Sequence, residues 1–247
     1  MCRWAGYIGS PIHLSDILSA PEHSLIEQSR APDEGKARLN GDGFGIAWYD
    51  KRAEPGLYKD VHPAWSDVNL RSFANQVQSH LFLAHVRAST GTAISRNNSH
   101  PFVVDNWSFM HNGLVGGFEK VRKKADMLIP DALYKHRKGA TDSEAFFLNA
   151  LGQGLEYDPK RAIAETVKVL NSSRLLLRIC ACLLPFQMVK SFMLCGMLLT
   201  VGPRRYITEG ISKTIVGRLF RNHLTKITMD GQEWKAIRFV FLTKKKL

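Results

Sequence analysis

Apolar and polar positions alternate in short bursts over the first two-thirds of the chain. Residues 2–8 (CRWAGYI) are short, aromatic and β-like. Residues 43–49 (GFGIAWY) form a second apolar strand, entered through the turn Asn40-Gly41-Asp42. Residues 81–86 (LFLAHV) and 107–110 (WSFM) read as further strands. Residues 66–79 have helical spacing, with Val68, Phe73 and Val77 as the apolar positions. Thr141-Asp142-Ser143-Glu144 has the form of a capping box, a hydroxyl residue followed three positions later by Glu, ahead of the apolar run 145–148. A second helix is predicted over 159–170. Strands first and helices later predict an α+β fold in which sheets and helices form layers. The 247 residues are enough for one large core, and no repeat or low-complexity linker divides them, so residues 1–247 are expected to form a single domain.

The pattern changes after residue 170. Residues 175–201 (LLLRICACLLPFQMVKSFMLCGMLLTV) hold three of the four cysteines and three of the seven methionines. No acidic residue stands between Glu165 and Glu209. A membrane span is a poor reading, because Arg178, Pro185, Gln187 and Lys190 interrupt the stretch and no uncharged run reaches about 18 residues. The net charge of +12 would ordinarily suggest nucleic acid or an anionic membrane. Its distribution argues against both. Residues 1–170 hold 20 Lys/Arg against 19 Asp/Glu, whereas residues 171–247 hold 14 against 3. The basicity lies in the tail, and no aromatic–basic pattern accompanies it upstream, so neither nucleic acid nor membrane is expected as a partner. Cys180 and Cys182 make a C-x-C without a second pair, which predicts neither a metal site nor a disulfide framework. No apolar signal segment follows Cys2-Arg3-Trp4, and a cytoplasmic location is expected.

Several polar positions carry possible chemistry, each beside a plainer reading. A Cys at position 2 is commonly accidental. Removal of Met1, however, would leave an α-amine on the residue that bears the thiol. With a pKa of about 7.7–8, that amine is partly unprotonated near neutrality and can accept the thiol proton. Arg87, in AHVRAST (84–90), is either a solvated strand end or a fork aimed at a carboxylate, with Ser89 and Thr90 adding hydroxyls. Asn112-Gly113, at the end of FMHNG, is most simply a turn. The Asn amide and Gly N–H can also converge on a tetrahedral oxyanion. Asp142 suits the first turn of a helix, and it would equally face an ammonium group.

Taken together and in order, MCR, NGDGFGIAWY, AHVRAST, N-x-x-HPF, FMHNG and TDSE resemble the class II glutamine amidotransferases, a family of N-terminal-nucleophile hydrolases. The opening MCRWAGYIG and the later PEHSLIEQS are similar to the short, stand-alone members, which include the glutathione-degrading amidotransferases and the ergothioneine-pathway γ-glutamyl hydrolases. The resemblance covers residues 1–170. It implies a four-layer αββα sandwich and a Cys2 nucleophile that forms a γ-glutamyl thioester and is then hydrolysed. Asn112 and Gly113 would form the oxyanion hole. Arg87 would hold the substrate α-carboxylate and Asp142 the α-ammonium, with Thr90 contributing to binding. The substrate would be glutamine or a γ-glutamyl compound such as glutathione. No metal or organic cofactor is implied, and a synthase or peptidase partner subunit is compatible with the family.

The tail departs from that family, whose members return near residue 180 to an S-D-G turn and a strand similar to LYAVRYASD. Back-translation from the third base of the Gln187 codon permits D-G-E-K-L-Y-A-V-R-Y-A-S-D-R, although codon degeneracy leaves two to four choices at most positions. An out-of-frame segment over about residues 171–228 is therefore expected, with the family frame resuming near MDGQEWKAI (229–237). The C-terminal third would then be aberrant, its strands lacking the proper alternation. The alternatives to an active enzyme are a frame-damaged, inactive family member and a non-catalytic subunit of an amidotransferase complex.

Overall fold

The structure is a computed structural model that describes residues 2–30, 39–89, 91–111 and 114–172, and the backbones of five short strands beyond them. The strands are β1 (Arg3–His13), β2 (Phe44–Tyr49), β3 (Gly56–Asp60), β4 (Gln78–Val86), β5 (Phe102–Val104), β6 (Trp107–His111), β7 (Leu114–Gly116), β8 (Leu176–Arg178), β9 (Cys182–Phe186), β10 (Ser191–Cys195), β11 (Lys226–Met229) and β12 (Gln232–Lys235). The α-helices are α1 (Ser15–Leu18), α2 (Leu25–Arg30), α3 (Val68–Gln76), α4 (Phe118–Met127), α5 (Asp131–Tyr134), α6 (Asp142–Gly152) and α7 (Pro159–Ser172). Antiparallel sheets combined with helices make this the α+β class that the sequence pattern predicts.

The first sheet has the order β1-β4-β2-β3. β4 lies in its interior, paired on one side with β1 (Arg3 opposite Val86) and on the other with β2 (Phe44 opposite Val86). Strand β1 runs further than residue 8 because it resumes after a register shift between Ile8 and Ile12. Pro11, which has no N–H to give to a ladder, lies in that interval, on an edge strand where such an interruption is tolerated.

Both faces of β4 are covered. Phe82, Ala84 and Val86 join Phe44, Ile46, Leu14, Ile17, Leu25 and Leu70 on the side of α1–α3. Leu81 and Leu83 instead meet Tyr49 and Met110, with Trp4 and Ile8 packed alongside. This explains why LFLAHV reads as a continuous apolar run: successive residues serve opposite faces, and each fully buried Leu or Phe contributes on the order of 1.5–3 kcal/mol. The Tyr49 hydroxyl ties β2 to the β5–β6 hairpin, donating to the Asn106 carbonyl at 3.0 Å and lying 2.7 Å from Ser108 Oγ.

The second sheet has the order β10-β9-β6-β5. The β5–β6 hairpin turns through Asp105-Asn106, with Asp105 at φ 50, as short-polar residues in two-residue turns allow. Phe109 and Trp107 pack with Phe118, Phe146, Phe147 and Ile163 from α4, α6 and α7. Helix α6 is buried along its whole run from Ser143 to Ala150, which places it inside the protein rather than on its surface. Helix α7 starts as Asp158-Pro159 predicts, with Asp158 Oδ1 accepting from the Arg161 N–H at 3.1 Å.

Two local expectations need correction. The helix predicted over 66–79 spans only 68–76, because Asp67 caps it by accepting from the Leu70 N–H at 2.9 Å. Val68 is 74 % exposed, and Leu70 and Ala74 are the inward positions. The capping box at 141–144 is half formed. Thr141 Oγ1 accepts from the Glu144 N–H at 3.2 Å. Glu144 does not reciprocate but accepts from the N–H groups of Lys138 and Gly139 and from Arg137 Nη1.

Candidate active site

Cys2 directly precedes β1, Arg87 directly follows β4, and Asp42 ends the turn before β2. The pairing of Arg3 and of Phe44 with Val86 brings all three to one end of the first sheet. The Ala88 N–H donates to Cys2 Sγ at 3.4 Å, and Sγ lies equally far from the Ala88 carbonyl, to which the thiol can donate. Burial pushes the Cys2 thiol up. The Ala88 backbone and the Arg87 charge oppose that shift, and the Asp42 charge adds to it.

Arg87 is only 4 % exposed. Its Nη2 donates to Thr92 Oγ1 at 2.7 Å, Ser89 Oγ at 3.2 Å, the Ala93 carbonyl at 3.2 Å and the Thr92 carbonyl at 3.4 Å. Its Nη1 reaches only the Asp42 carbonyl among the described residues, at 3.5 Å. One edge of the guanidinium is thus fastened by Ser89, Thr92 and Ala93, and the other retains donor capacity. Asp42 fixes the same segment from below. Its N–H donates to the Arg87 carbonyl at 3.1 Å, the Arg87 N–H donates to Gly43 at 2.8 Å, and Asp42 Oδ2 accepts from the Ser89 N–H at 2.6 Å.

Asp142 opens α6 beside a different strand pair. Its Oδ2 accepts from the Val115 N–H at 2.6 Å, and its Oδ1 accepts from the Ser143 N–H at 2.8 Å. Ser143 Oγ lies 2.9 Å from His111 Nδ1, so the start of α6 is bonded to residues on both sides of positions 112–113. Burial pushes His111 down, although the Asp142 charge opposes it. Asn112, Gly113 and Thr90 lie outside the described residues. Cys2 and Arg87 thus share one hydrogen-bonded cluster, Asp142 belongs to a second, and among the described residues no hydrogen bond joins Asp142 directly to the first.

Asn98 joins the two clusters. It is 3 % exposed; its Nδ2 donates to the Ala93 carbonyl at 2.9 Å and its Oδ1 accepts from the Ala140 N–H at 2.7 Å. Asp42, Thr92 and Asn98 are the site residues that sequence reading misses. Asp42 stands in the quoted NGDGFG run and Asn98 in NNSHPF, but a turn explains each of them adequately in the absence of coordinates. No group of three or more His, Cys, Asp or Glu side chains suited to a metal ion occurs among the described residues. No described helix is long and apolar enough to cross a membrane.

The chain has relatives among known proteins. Residues 24–175 match the family model for class II glutamine amidotransferases. The chain is similar to the probable glutamine amidotransferase DUG3 of Saccharomyces cerevisiae, at 41% identity over 173 residues covering 65% of this chain and 48% of the yeast protein. It is also similar to the γ-glutamyl-hercynylcysteine sulfoxide hydrolase of Mycobacterium tuberculosis, at 36% identity over 117 residues covering 47% of this chain and 50% of that one. The chain thus spans about half the length of the curated relatives it matches. Among solved structures, a glutamine aminotransferase class-II domain protein from Silicibacter pomeroyi superposes with a TM-score of 0.61 and 41% identity, covering 80% of this chain and 77% of the other. With the family model matching more than half of its length, the chain belongs to the class II glutamine amidotransferases.

Proposed function

We propose that this chain hydrolyses the γ-amide bond of glutamine or of a γ-glutamyl compound through a thioester on Cys2. The observation that carries the reading is the placement of Sγ, 3.4 Å from the Ala88 backbone N–H and directly beside the buried Arg87. After removal of Met1, the α-amine of Cys2 takes the thiol proton as Sγ attacks the γ-carbonyl carbon. The tetrahedral oxyanion is held by the Asn112 amide and the Gly113 N–H. Its collapse breaks the C–N bond, and the departing nitrogen collects the proton. Water then cleaves the thioester, releasing glutamate and restoring the thiol. The open Nη1 edge of Arg87 receives the α-carboxylate, with Thr90 nearby in sequence, and Asp142 receives the α-ammonium. A thiol pushed up by burial fits this scheme, because it keeps its proton until the amine removes it. The reaction as drawn calls on no metal or organic cofactor.

The four-layer αββα arrangement belongs to the same reading. It is supported by three separate apolar clusters, one on the helix side of each sheet and one between Tyr49, Leu81, Leu83 and Met110. So do a single domain over residues 1–247, a cytoplasmic location and a synthase or peptidase partner subunit. Release of glutamate from L-glutamine and from glutathione, compared between the parent protein and Cys2→Ala, tests the function. Loss of release in Cys2→Ala is expected, and equal release by both proteins overturns the mechanism.

A second reading concerns the tail. We propose that about residues 171–228 are translated out of frame, which would make the chain an inactive or frame-damaged family member; a non-catalytic subunit of an amidotransferase complex is a separate alternative. The permitted decoding from Gln187 and the charge imbalance of the last 77 residues, 14 Lys/Arg against 3 Asp/Glu, favour the out-of-frame reading. Resequencing the gene tests it, and an unbroken present frame overturns it.

A further inference from the structure

The two groups assigned to the charged head of the substrate stand on different elements, Arg87 after β4 and Asp142 at the start of α6. Something must hold them at a fixed separation if one ligand is to satisfy both. Asn98 makes the connection. Its Nδ2 bonds the Ala93 carbonyl, the same oxygen that accepts from Arg87 Nη2 at 3.2 Å. Its Oδ1 bonds the N–H of Ala140, two residues before Asp142. The amide orientation follows from these partners, because a carbonyl needs the NH2 and an N–H needs the oxygen.

Both ends rest on firm supports. On one side Ser89 is tied to Thr92, its hydroxyl donating to the Thr92 carbonyl at 2.6 Å. On the other, residues 137–141 are fastened to α6. Glu144 accepts from the Gly139 N–H at 2.8 Å, and Arg137 Nη1 donates to the Thr141 carbonyl at 2.8 Å. The loops touch so closely that a Cβ at Gly139 would stand 2.6 Å from both the Asn97 carbonyl and Asn98 Oδ1.

We infer that Asn98 is a positioning residue that sets the spacing between the carboxylate grip of Arg87 and the ammonium grip of Asp142. A head group carrying both charges is then bound more tightly than its two halves separately imply. The inference rests on the proposed γ-glutamyl site and deepens it.

The test measures alkylation of Cys2 by iodoacetamide, followed on the Cys2 peptide by mass spectrometry, in the presence of three ligands. L-Glutamate carries both charged groups, glutarate lacks the amine, and 4-aminobutyrate lacks the α-carboxylate. Asn98→Asp keeps the acceptor for Ala140 but turns an oxygen toward the Ala93 carbonyl. In that variant protection by L-glutamate should weaken about tenfold and protection by the single-charge ligands by less than about twofold, with the ligand-free alkylation rate retained. The KM for L-glutamine should rise in parallel while kcat holds. Gly139→Ala, which presses on the same contact from the other loop, should reproduce the pattern. An equal loss for all three ligands, or no loss for L-glutamate, overturns the inference. If L-glutamate fails to protect the parent protein, the γ-glutamyl site itself is overturned and this inference with it. Protection of the parent that is unchanged in Asn98→Asp sinks the Asn98 role alone.

Discussion

The sulfur of Cys2 and the backbone of Ala88 are 86 positions apart in sequence and 3.4 Å apart in space, at both the amide nitrogen and the carbonyl oxygen. Ala88 follows Arg87 directly, so the contact that fixes the thiol also fixes the neighbouring guanidinium relative to it.

The first prediction concerns the thiol itself. Burial pushes Cys2 up, and the Asp42 charge adds to that push. The midpoint of its alkylation pH profile should therefore lie above that of an exposed cysteine in a peptide. Asp42→Asn removes a negative charge that disfavours the thiolate and should move the midpoint to lower pH. A profile that stays in place, or moves upward, would show that the Asp42 charge does not reach the sulfur.

Asp42→Ala tests geometry instead of charge. It removes the acceptor for the Ser89 N–H. The loss should be on the order of 1 kcal/mol. Because Ser89 also contacts Arg87, KM for the substrate should rise by about fivefold, more than kcat falls. Steady-state kinetics with L-glutamine check this, and a pure kcat effect would contradict it.

Much of this arrangement is visible in the sequence. GFGIAWY and LFLAHV identify β2 and β4 because both strands are buried enough to show as apolar runs. Cys2, Arg87 and Asp142 stand in short motifs whose residue types suggest their chemistry. The rest is hidden for physical reasons. β3 (GLYKD) is a half-exposed edge strand without strong alternation. α4 carries its inward signal on Phe118, Val121 and Ala125 alone, diluted by charges. Asn98 and Asp42 act through long-range hydrogen bonds, and periodicity contains no information about which loops meet. The capping-box pattern at 141–144 predicts the helix start correctly but misplaces the Glu144 partner, because Arg137 competes for the carboxylate.

That competition yields a third prediction. The side chains of Arg137 and Glu144 are buried, with Arg137 Nη1 2.8 Å from Glu144 Oε2 and Nε 3.0 Å from Asp126 Oδ1. Glu144→Gln leaves the Arg137 charge partly uncompensated and should cost about 3 kcal/mol or more. Thr141→Ala removes a helix cap and should cost about 1 kcal/mol. Urea denaturation midpoints should follow that order, and the reverse order would mean that the Arg137 network contributes little.

Acid stability is the fourth. His85 and His100 lie with ring centroids 4.6 Å apart and planes tilted by 47°, and neither ring has a hydrogen-bond partner among the described residues. Burial, reinforced by nearby positive charges, lowers His85 to about 3 and holds His100 well below the usual histidine range. As pH falls below about 6.5, the unfolded chain takes up protons that the folded one refuses. The contribution of these two histidines should be flat above that pH and should reduce stability below it, by up to about 1.4 kcal/mol per pH unit for each. Denaturation midpoints at pH 7.5, 6.5 and 5.5 should show the decline. His85→Leu should make it shallower, and an unchanged slope would exclude His85 as a contributor.

Strand order also constrains when the molecule becomes reactive. The strand that follows Cys2 pairs with β4 and not with β2, so it has no partner strand in the sheet until residues 78–86 have been synthesised. Closing so long a loop is entropically costly and comes late compared with local hairpins. A nascent or truncated chain that ends before β4 would carry the thiol without Arg87 or Ala88 beside it. The setting of Cys2 beside Ala88 and Arg87 is thus a product of completing the first sheet, and it is absent until β1 has closed onto β4.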